Sequence, residues 1–440
     1  MSDQIDLSRF ARAAKRAARP AVEGRLSEIV GLVMEAQGCR AAIGDVYELH
    51  PDGMPSVEAE VVGIRGGNTL LMPLGDTYGL QAGCPVRRVG RAARARVGDA
   101  LLGRVVDGMG RPLDGGPTPD CTLEMSLHGQ QRNPLLRRPV QEEVRVGVRA
   151  IDGLLSLGKG QRTGIFAGAG VGKSSLLAMM IRRTQADVCV MGLIGERGRE
   201  VEEFVNRILG ESGREKAVVV AATSASPPLV RARGALYATT IAEYFRSQGK
   251  SVLLLMDSLT RYAQALREVG LAVGEPPTTK GYTPSVFASL PRLLERAGTC
   301  QGPGSITGIY TVLVEGDDLN DPVADGVRAI LDGHIVLSRD LAERGHFPAI
   351  DVSKSISRVF GDVAPESRQQ CAARARELFA NYREAEDLVA IGAYQQGAMP
   401  RLDEALARMP RLEGFLKQGF NEDFPPENLD PDLNAVWSDA

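Results

Sequence analysis

No stretch of this sequence stays apolar for long. The longest unbroken runs, such as Leu176 to Ile181 and Ala217 to Ala222, stop far short of the ~18 residues that cross a bilayer, which excludes a protein that spans the membrane by helices. Positive charge is not in excess either. The 52 Lys and Arg stand against 55 Asp and Glu, a formal −3, which excludes a basic nucleic-acid coat protein. Six scattered cysteines (Cys39, Cys84, Cys121, Cys189, Cys300 and Cys371) form no CxxC pair and have no His at ligand spacing, so neither a zinc module nor a disulfide framework is signalled. The N-terminus lacks the apolar core and small-residue cleavage site of a secretory signal, and a reduced, cytosolic protein is expected. Tyr47 and Tyr78 are the only aromatics between residues 21 and 100, a poor platform for stacking single-stranded bases.

What is present points to a large folded chain. With 43% apolar residues over 440 positions, there is material for about three domains of ~150 residues each. Residues 1–25 carry six basic side chains against three acids, with Leu7, Phe10 and Ala14 at helical spacing. A basic amphipathic helix is expected there, either a solvated arm or a docking element for a partner or an acidic lipid surface. Residues 26–92 turn to short β-prone runs, with alternation at Val57-Glu-Ala-Glu-Val61 and turn signals at Pro51-Asp-Gly and Gly66-Gly-Asn, the pattern of a small β-barrel. The Gly- and Pro-rich stretch Asp107 to Pro119 reads as a connector.

Across residues 93–365 strand-like runs alternate with helical ones, predicting an α/β domain with a parallel sheet. The expected strands are Thr163 to Ala167, Asp187 to Ile194, Ala217 to Ala222, Ser251 to Met256, Thr307 to Val314 and His334 to Leu337. Residues 366–440 are helical in pattern. Their tail, Asn421 to Ala440, holds six acids and three prolines without Lys or Arg, and disorder is expected in its last part.

The segment richest in chemistry runs Ala167-Gly168-Ala169-Gly170-Val171-Gly172-Lys173-Ser174-Ser175, between an expected strand and the helical run Leu176 to Arg183. That is the setting of a P-loop. Glycines let backbone amides turn onto phosphates, the helix N-terminus faces them, Lys173 reaches the outer phosphate oxygens and Ser174 ligates Mg²⁺. Ala167 stands where the motif has its first glycine, which is tolerable if that residue keeps a negative φ. Asp257, at the end of an apolar strand, is the second candidate for the metal or its waters. Glu196, in Gly195-Glu-Arg-Gly-Arg-Glu200, is the candidate to polarise an attacking water, with Arg197 steadying it or the phosphate. Taken singly, Asp257 also reads as a helix cap and the Glu196 segment as a solvated charge run.

Taken together these motifs resemble the catalytic subunits of the rotary ATPase family, closest to the type III protein export ATPases and, among those, to the flagellar branch. Besides the P-loop, the resemblance is carried by Leu101-Leu-Gly-Arg-Val-Val-Asp-Gly108, Leu193-Ile-Gly-Glu-Arg-Gly-Arg-Glu-Val201, Met256-Asp-Ser-Leu-Thr-Arg-Tyr262, Glu275-Pro-Pro-Thr-Thr-Lys-Gly-Tyr-Thr-Pro-Ser-Val-Phe287 and Val314-Glu-Gly-Asp-Asp-Leu-Asn-Asp-Pro322. It implies a β-barrel, a RecA-like P-loop domain and a helical C-terminal domain. It implies that ATP and Mg²⁺ are used, that six copies form a ring with the Glu275 to Phe287 loop near its pore, and that Arg358, in Ser355-Ile-Ser-Arg-Val359, is an arginine finger reaching the neighbour's nucleotide. Phe347 would stack on the adenine. The implied work is release of chaperoned cargo and its delivery to a membrane export gate, with regulator or stalk proteins as partners and no nucleic acid.

By residues alone, Arg358 is a surface salt-bridge former and Phe347 a core residue. The acidic cluster Glu315, Asp317, Asp318 and Asp321 reads better as an interface loop than as a metal site. A virulence-type secretion ATPase, a rotary ATP synthase subunit, an RNA translocase and a non-catalytic nucleotide-binding subunit stay open as other readings.

Overall fold

The computed structural model describes residues 24–440 apart from 92–93, 130–132, 315, 317–320, 391–392, 396 and 439–440. The expected basic helix falls on residues outside that description except at its end, where Gly24 and Arg25 begin a strand instead. The described chain divides into two compact units, one of residues up to 94 with 269–275, the other of 95–268 with 276–440.

The first unit is a closed antiparallel barrel of six strands: β1 (Gly24–Val30), β2 (Val33–Gln37), β3 (Asp45–Leu49), β4 (Val57–Arg65), β5 (Asn68–Pro73) and β6 (Pro85–Arg91), in the order β1-β2-β5-β4-β3-β6. Closure leaves no strand edge unpaired. The alternation in β4 sends Ala59 and Val61 inward beside Leu26, Leu49 and Leu71, all nearly inaccessible to solvent. Tyr47 joins that core, and its hydroxyl donates to the Arg40 carbonyl.

The second unit is built on a nine-stranded sheet. Its main strands are β7 (Val105–Asp107), β8 (Arg162–Ala167), β9 (Val188–Ile194), β10 (Ala217–Ala222), β11 (Ser251–Asp257), β12 (Ser305–Leu313), β13 (Gly333–Leu337) and β14 (Ile350–Ser357), in the order β14-β13-β8-β12-β11-β9-β10-β7. All main pairings are parallel except β13 with β14. The six expected strands are all present, with ends within two residues. β14 is not among the expected strands, because in Ile350-Asp-Val-Ser-Lys-Ser-Ile-Ser357 the alternation breaks down: Ser355 and Ser357 are buried while Ile356 is exposed.

Both faces of a parallel sheet are covered, so its strands are continuously apolar. Successive residues still part company. Cys189, Met191 and Leu193 pack toward α1 (Lys173–Arg183), whereas Val188, Val190 and Ile194 pack toward α2 (Pro228–Ser247). Gly192 faces α2 where an added Cβ would lie 3.3 Å from Ala238, so glycine lets that helix approach closely.

Two expectations are corrected. Asp107 to Pro119 is a loop, but it lies inside the second unit and does not join two domains: it leaves the edge strand β7 and folds back on it through a Val106–Pro112 bridge, and Asp114 takes a two-pronged hydrogen bond from Arg104 at 2.7 and 2.8 Å and a third from the Val105 amide. That pairing holds the Asp114 carboxyl well below the usual range. The acidic tail is folded, not loose. After α3 (Glu366–Ala390) and α4 (Pro400–Leu416) the chain forms α5 (Leu429–Ala435), whose Leu429 and Leu433, with Val436, are buried in the core shared by α1 and α4. Its acid Asp430 is paired with Arg368, itself only about 1% exposed. Composition counts charges but does not see their partners.

Candidate functional site

In parallel α/β sheets, ligand sites form beyond the carboxyl ends of the strands. Here those ends belong to β8, β9, β11 and β12. Ala167 is the last residue of β8, paired with Leu313 in normal strand register, and its φ is not among the positive ones, so the missing glycine costs no strain. The loop then turns through Gly170 and Gly172, both at positive φ (80° and 88°), conformations that side chains disfavour. Gly168 is buried, while Ala169 and Gly170 are exposed and Val171 is anchored in the core. Gly172 is the N-cap of α1 and brings no side chain to the helix's first amides. Lys173 and Ser174 follow, half-buried on the first turn, and Ser175 is exposed. Free amides and the positive end of the helix dipole make this turn an anion cradle.

Three charged groups converge on it. Lys173 Nζ donates to Asp257 Oδ1 at 2.5 Å and lies 3.7 Å from Glu196 Oε1. Asp257, at the end of β11, is buried and also accepts from Thr311 Oγ1 at 2.6 Å. Glu196, just past β9, has its Oε1 buried without a hydrogen-bond partner. Burial first, then the nearby Asp257 charge, push its carboxyl up to about 7, against the pull of Lys173. An orphaned buried carboxylate oxygen beside an anion cradle is a costly arrangement unless a bound group completes it.

Phe347 stands at the rim, 46% exposed, with its ring 3.5 Å from where a Cβ on Gly172 would be. The structure brings Lys173, Ser174, Asp257, Glu196 and Phe347 together. It does not bring Arg197 in: that side chain is 82% exposed and pairs with Glu200 at 3.6 Å, so it steadies neither Glu196 nor the loop in this chain. The helical run after it, Gly198–Glu202, continues into wider π-type turns over Glu203–Leu209.

Arg358 is elsewhere. It is exposed and follows β14, whose end Ser357 pairs with Gly333 at the amino end of β13. The P-loop leaves the opposite end of the sheet. Arg162 to Ala167 separates the two levels by five strand steps, about 16 Å, so Arg358 does not serve its own chain's loop. Asp321 caps the helix Pro322–Ile330 and pairs with Lys280 at 3.2 Å. Glu315, Asp317 and Asp318 lie outside the described residues, and no group of three acids, His or Cys among the described ones is arranged to hold a metal.

Two residues of the site escaped sequence reading. Thr311 is one more residue in an apolar strand until the fold sets it against Asp257. Gln418, buried, donates its backbone amide to the Phe347 carbonyl and bonds Arg149 N and Gly147 O through its side chain. Its place in Gly414-Phe-Leu-Lys-Gln-Gly419 was the only signal.

The models of known families match the chain in three consecutive parts: the ATP synthase alpha/beta family β-barrel domain over residues 26–90, the nucleotide-binding domain of that family over 147–357, and the type III secretion ATPase C-terminal domain over 364–434. A flagellum-specific ATP synthase of Pseudomonas aeruginosa is 52% identical over 423 residues, 94% of this chain and 93% of its own length. The flagellum-specific ATP synthase of Salmonella typhimurium is 52% identical over 93% of this chain and 92% of its own length, and a type 3 secretion system ATPase of Xanthomonas euvesicatoria 49% identical over 95% and 94%. Among solved structures, the assembled ATPase EscN from the enteropathogenic E. coli type III secretion system superposes with a TM-score of 0.89 at 47% identity, covering 94% of this chain and all of that one. The chain thus belongs to the ATP synthase alpha/beta family and, within it, to the ATPases of type III export.

Proposed function

We propose that this chain hydrolyses Mg-ATP as the motor of a type III export apparatus, flagellar in preference to virulence-type, in a homohexameric ring that releases chaperoned cargo and feeds it to a membrane gate. The observation that carries the reading is the convergence of Lys173, Asp257 and Glu196 on the glycine cradle at the end of β8. A divalent metal fits the donor set, since Ser174 and Asp257 supply hard oxygens beside Lys173; when bound, Mg²⁺ would neutralise charge on the outer phosphates. Lys173 moves from Asp257 to the phosphate oxygens, which frees the carboxylate for the metal or its waters. Glu196, with a carboxyl poised near neutrality, accepts the proton of the attacking water. Phe347 stacks on the base. Arg358 stabilises transition-state charge from the neighbouring chain, in keeping with its distance from its own loop.

The domain division that accompanies this reading is 1–25, 26–92, 93–365 and 366–440, with the Glu275 to Phe287 loop facing the pore. A stalk protein is the expected partner: a second EscN structure holds it in complex with its central stalk EscO. The basic arm at residues 1–25 would meet a regulator or an acidic lipid surface. No helix among the described residues is long and apolar enough to cross a membrane, so attachment to the gate would be peripheral. The preference for the flagellar branch rests on Lys280 in Thr278-Thr-Lys-Gly-Tyr-Thr-Pro284, on Gly392-Ala-Tyr394 and on Pro410 to Gly419. Phosphate release by the purified chain with Mg²⁺ tests the activity, and a deletion strain tests the branch: loss of motility is expected, whereas intact motility with lost effector secretion would assign the virulence branch.

A further inference from the structure

Arg358 is exposed, so the precision of its placement depends on how its backbone is held. The two residues that hold that backbone share one buried amide. Gln161, at the loop entering β8, is wholly inaccessible to solvent. Its Oε1 accepts from Gly158 N at 2.9 Å, while Nε2 donates to Ser357 Oγ at 3.0 Å and to the Asp332 carbonyl at 3.4 Å. Ser357 immediately precedes Arg358 and its hydroxyl donates on to Ser156 O at 3.1 Å. The same Asp332 carbonyl accepts the Arg358 amide at 2.9 Å. The Asp332 carboxylate is gripped in turn by Arg162, through its backbone amide and two guanidinium nitrogens, each at 3.0 Å. At Gly333 a Cβ would stand 2.6 Å from the Ile356 carbonyl and 3.2 Å from Gln161 Nε2, so no side chain loosens the bracket from that side.

A buried side-chain amide is retained at a cost unless its hydrogen bonds are made, and both donors of this one go to the two residues that fix the Arg358 backbone. We propose that Gln161 is a positioning residue for Arg358, a buried bracket that sets where the finger enters the neighbouring chain's site. The inference rests on the reading of Arg358 as a finger acting in trans. Gln161 touches no nucleotide: it lies at the end of β8 opposite the P-loop. Its effect should therefore travel with the chain that donates the finger and leave that chain's own nucleotide site alone.

The test uses full-length Gln161→Leu, which keeps the bulk and removes the amide. Expected is a loss of kcat of about 10²-fold, the scale of an ångström-sized misplacement of a catalytic group, with the affinity for a fluorescent ADP analogue unchanged. Mixed with Lys173→Ala chains, Gln161→Leu chains should regain turnover, because their intact P-loops then meet correctly held fingers; Arg358→Ala mixed with Lys173→Ala is the parallel arm. Recovery with Arg358→Ala but not with Gln161→Leu would overturn the bracket and leave the trans finger standing. Recovery in neither mixture would bring down both. Wild-type kcat in Gln161→Leu alone would also overturn the bracket. Should Gln161→Leu fail to bind the analogue, Ser357→Ala replaces it in the same mixtures, with about a tenfold loss expected for one hydrogen bond to the bracket.

Discussion

Lys173 Nζ sits 2.5 Å from Asp257 Oδ1, so the two groups that must face a nucleotide's phosphates and its metal first face each other. This buried contact keeps each charge compensated and defines what a ligand has to exchange. Asp257→Asn should lower turnover by about 10² or more and raise the Mg²⁺ concentration needed for half-maximal rate, since the metal-facing charge is lost. A magnesium titration of phosphate release reads both, and an unchanged requirement would remove Asp257 from the metal's surroundings.

Glu196→Gln is close to isosteric and removes only the base. Hydrolysis should fall by about 10²–10⁴, with binding of an ATP analogue retained. Equal loss of binding would instead make Glu196 part of the cradle.

The pH profile follows from the same carboxyl. Its proton is held up to about 7 by burial and the Asp257 charge, and only the ionised form accepts a proton. kcat/KM should thus be level above that pH and fall about tenfold per unit below it. In Glu196→Gln the residual rate should lose this limb; persistence of the limb would assign it to another group.

Phe347→Ala should leave kcat near its normal value while weakening nucleotide binding about tenfold, within the ~1–3 kcal/mol that base–aromatic stacking contributes. Equilibrium binding of ATP and of a triphosphate lacking the base separates the two cases: the loss should appear only with the base present.

Arg368→Ala tests the folded tail. Arg368 bonds Glu143, Asp430 and the Ser156 hydroxyl from a nearly solvent-free position. Removing it leaves Glu143 and part-exposed Asp430 to Arg145 alone and empties a buried side-chain site, and a loss of about 2 kcal/mol is expected, read as a lowered denaturation midpoint with earlier proteolysis after residue 420. A tail that stays protected would show that burial of Leu429, Leu433 and Val436 suffices alone.

Much of this molecule is written in local pattern. The glycine spacing around Lys173 determined the cradle, because a chain that must turn its amides inward needs residues able to take positive φ. The apolar runs Ala217 to Ala222 and Ser251 to Met256 determined central strands, because only a sheet covered on both faces buries every residue of such a run. The barrel was legible from its period-2 alternation and the C-terminal end from its helical spacing, each of which reports one buried face. Only the tertiary structure decided which partners meet. Thr311 reaches Asp257 across a strand boundary, Arg197 turns to solvent although it adjoins Glu196, and Asp430 finds Arg368 in a tail whose composition predicts disorder. β14, too broken in its alternation to foresee, carries Arg358 to the end of the sheet away from its own cradle. Most of these outcomes depend on contacts between residues tens of positions apart, and periodicity, which reports only which face of an element is buried, does not encode what the other side brings.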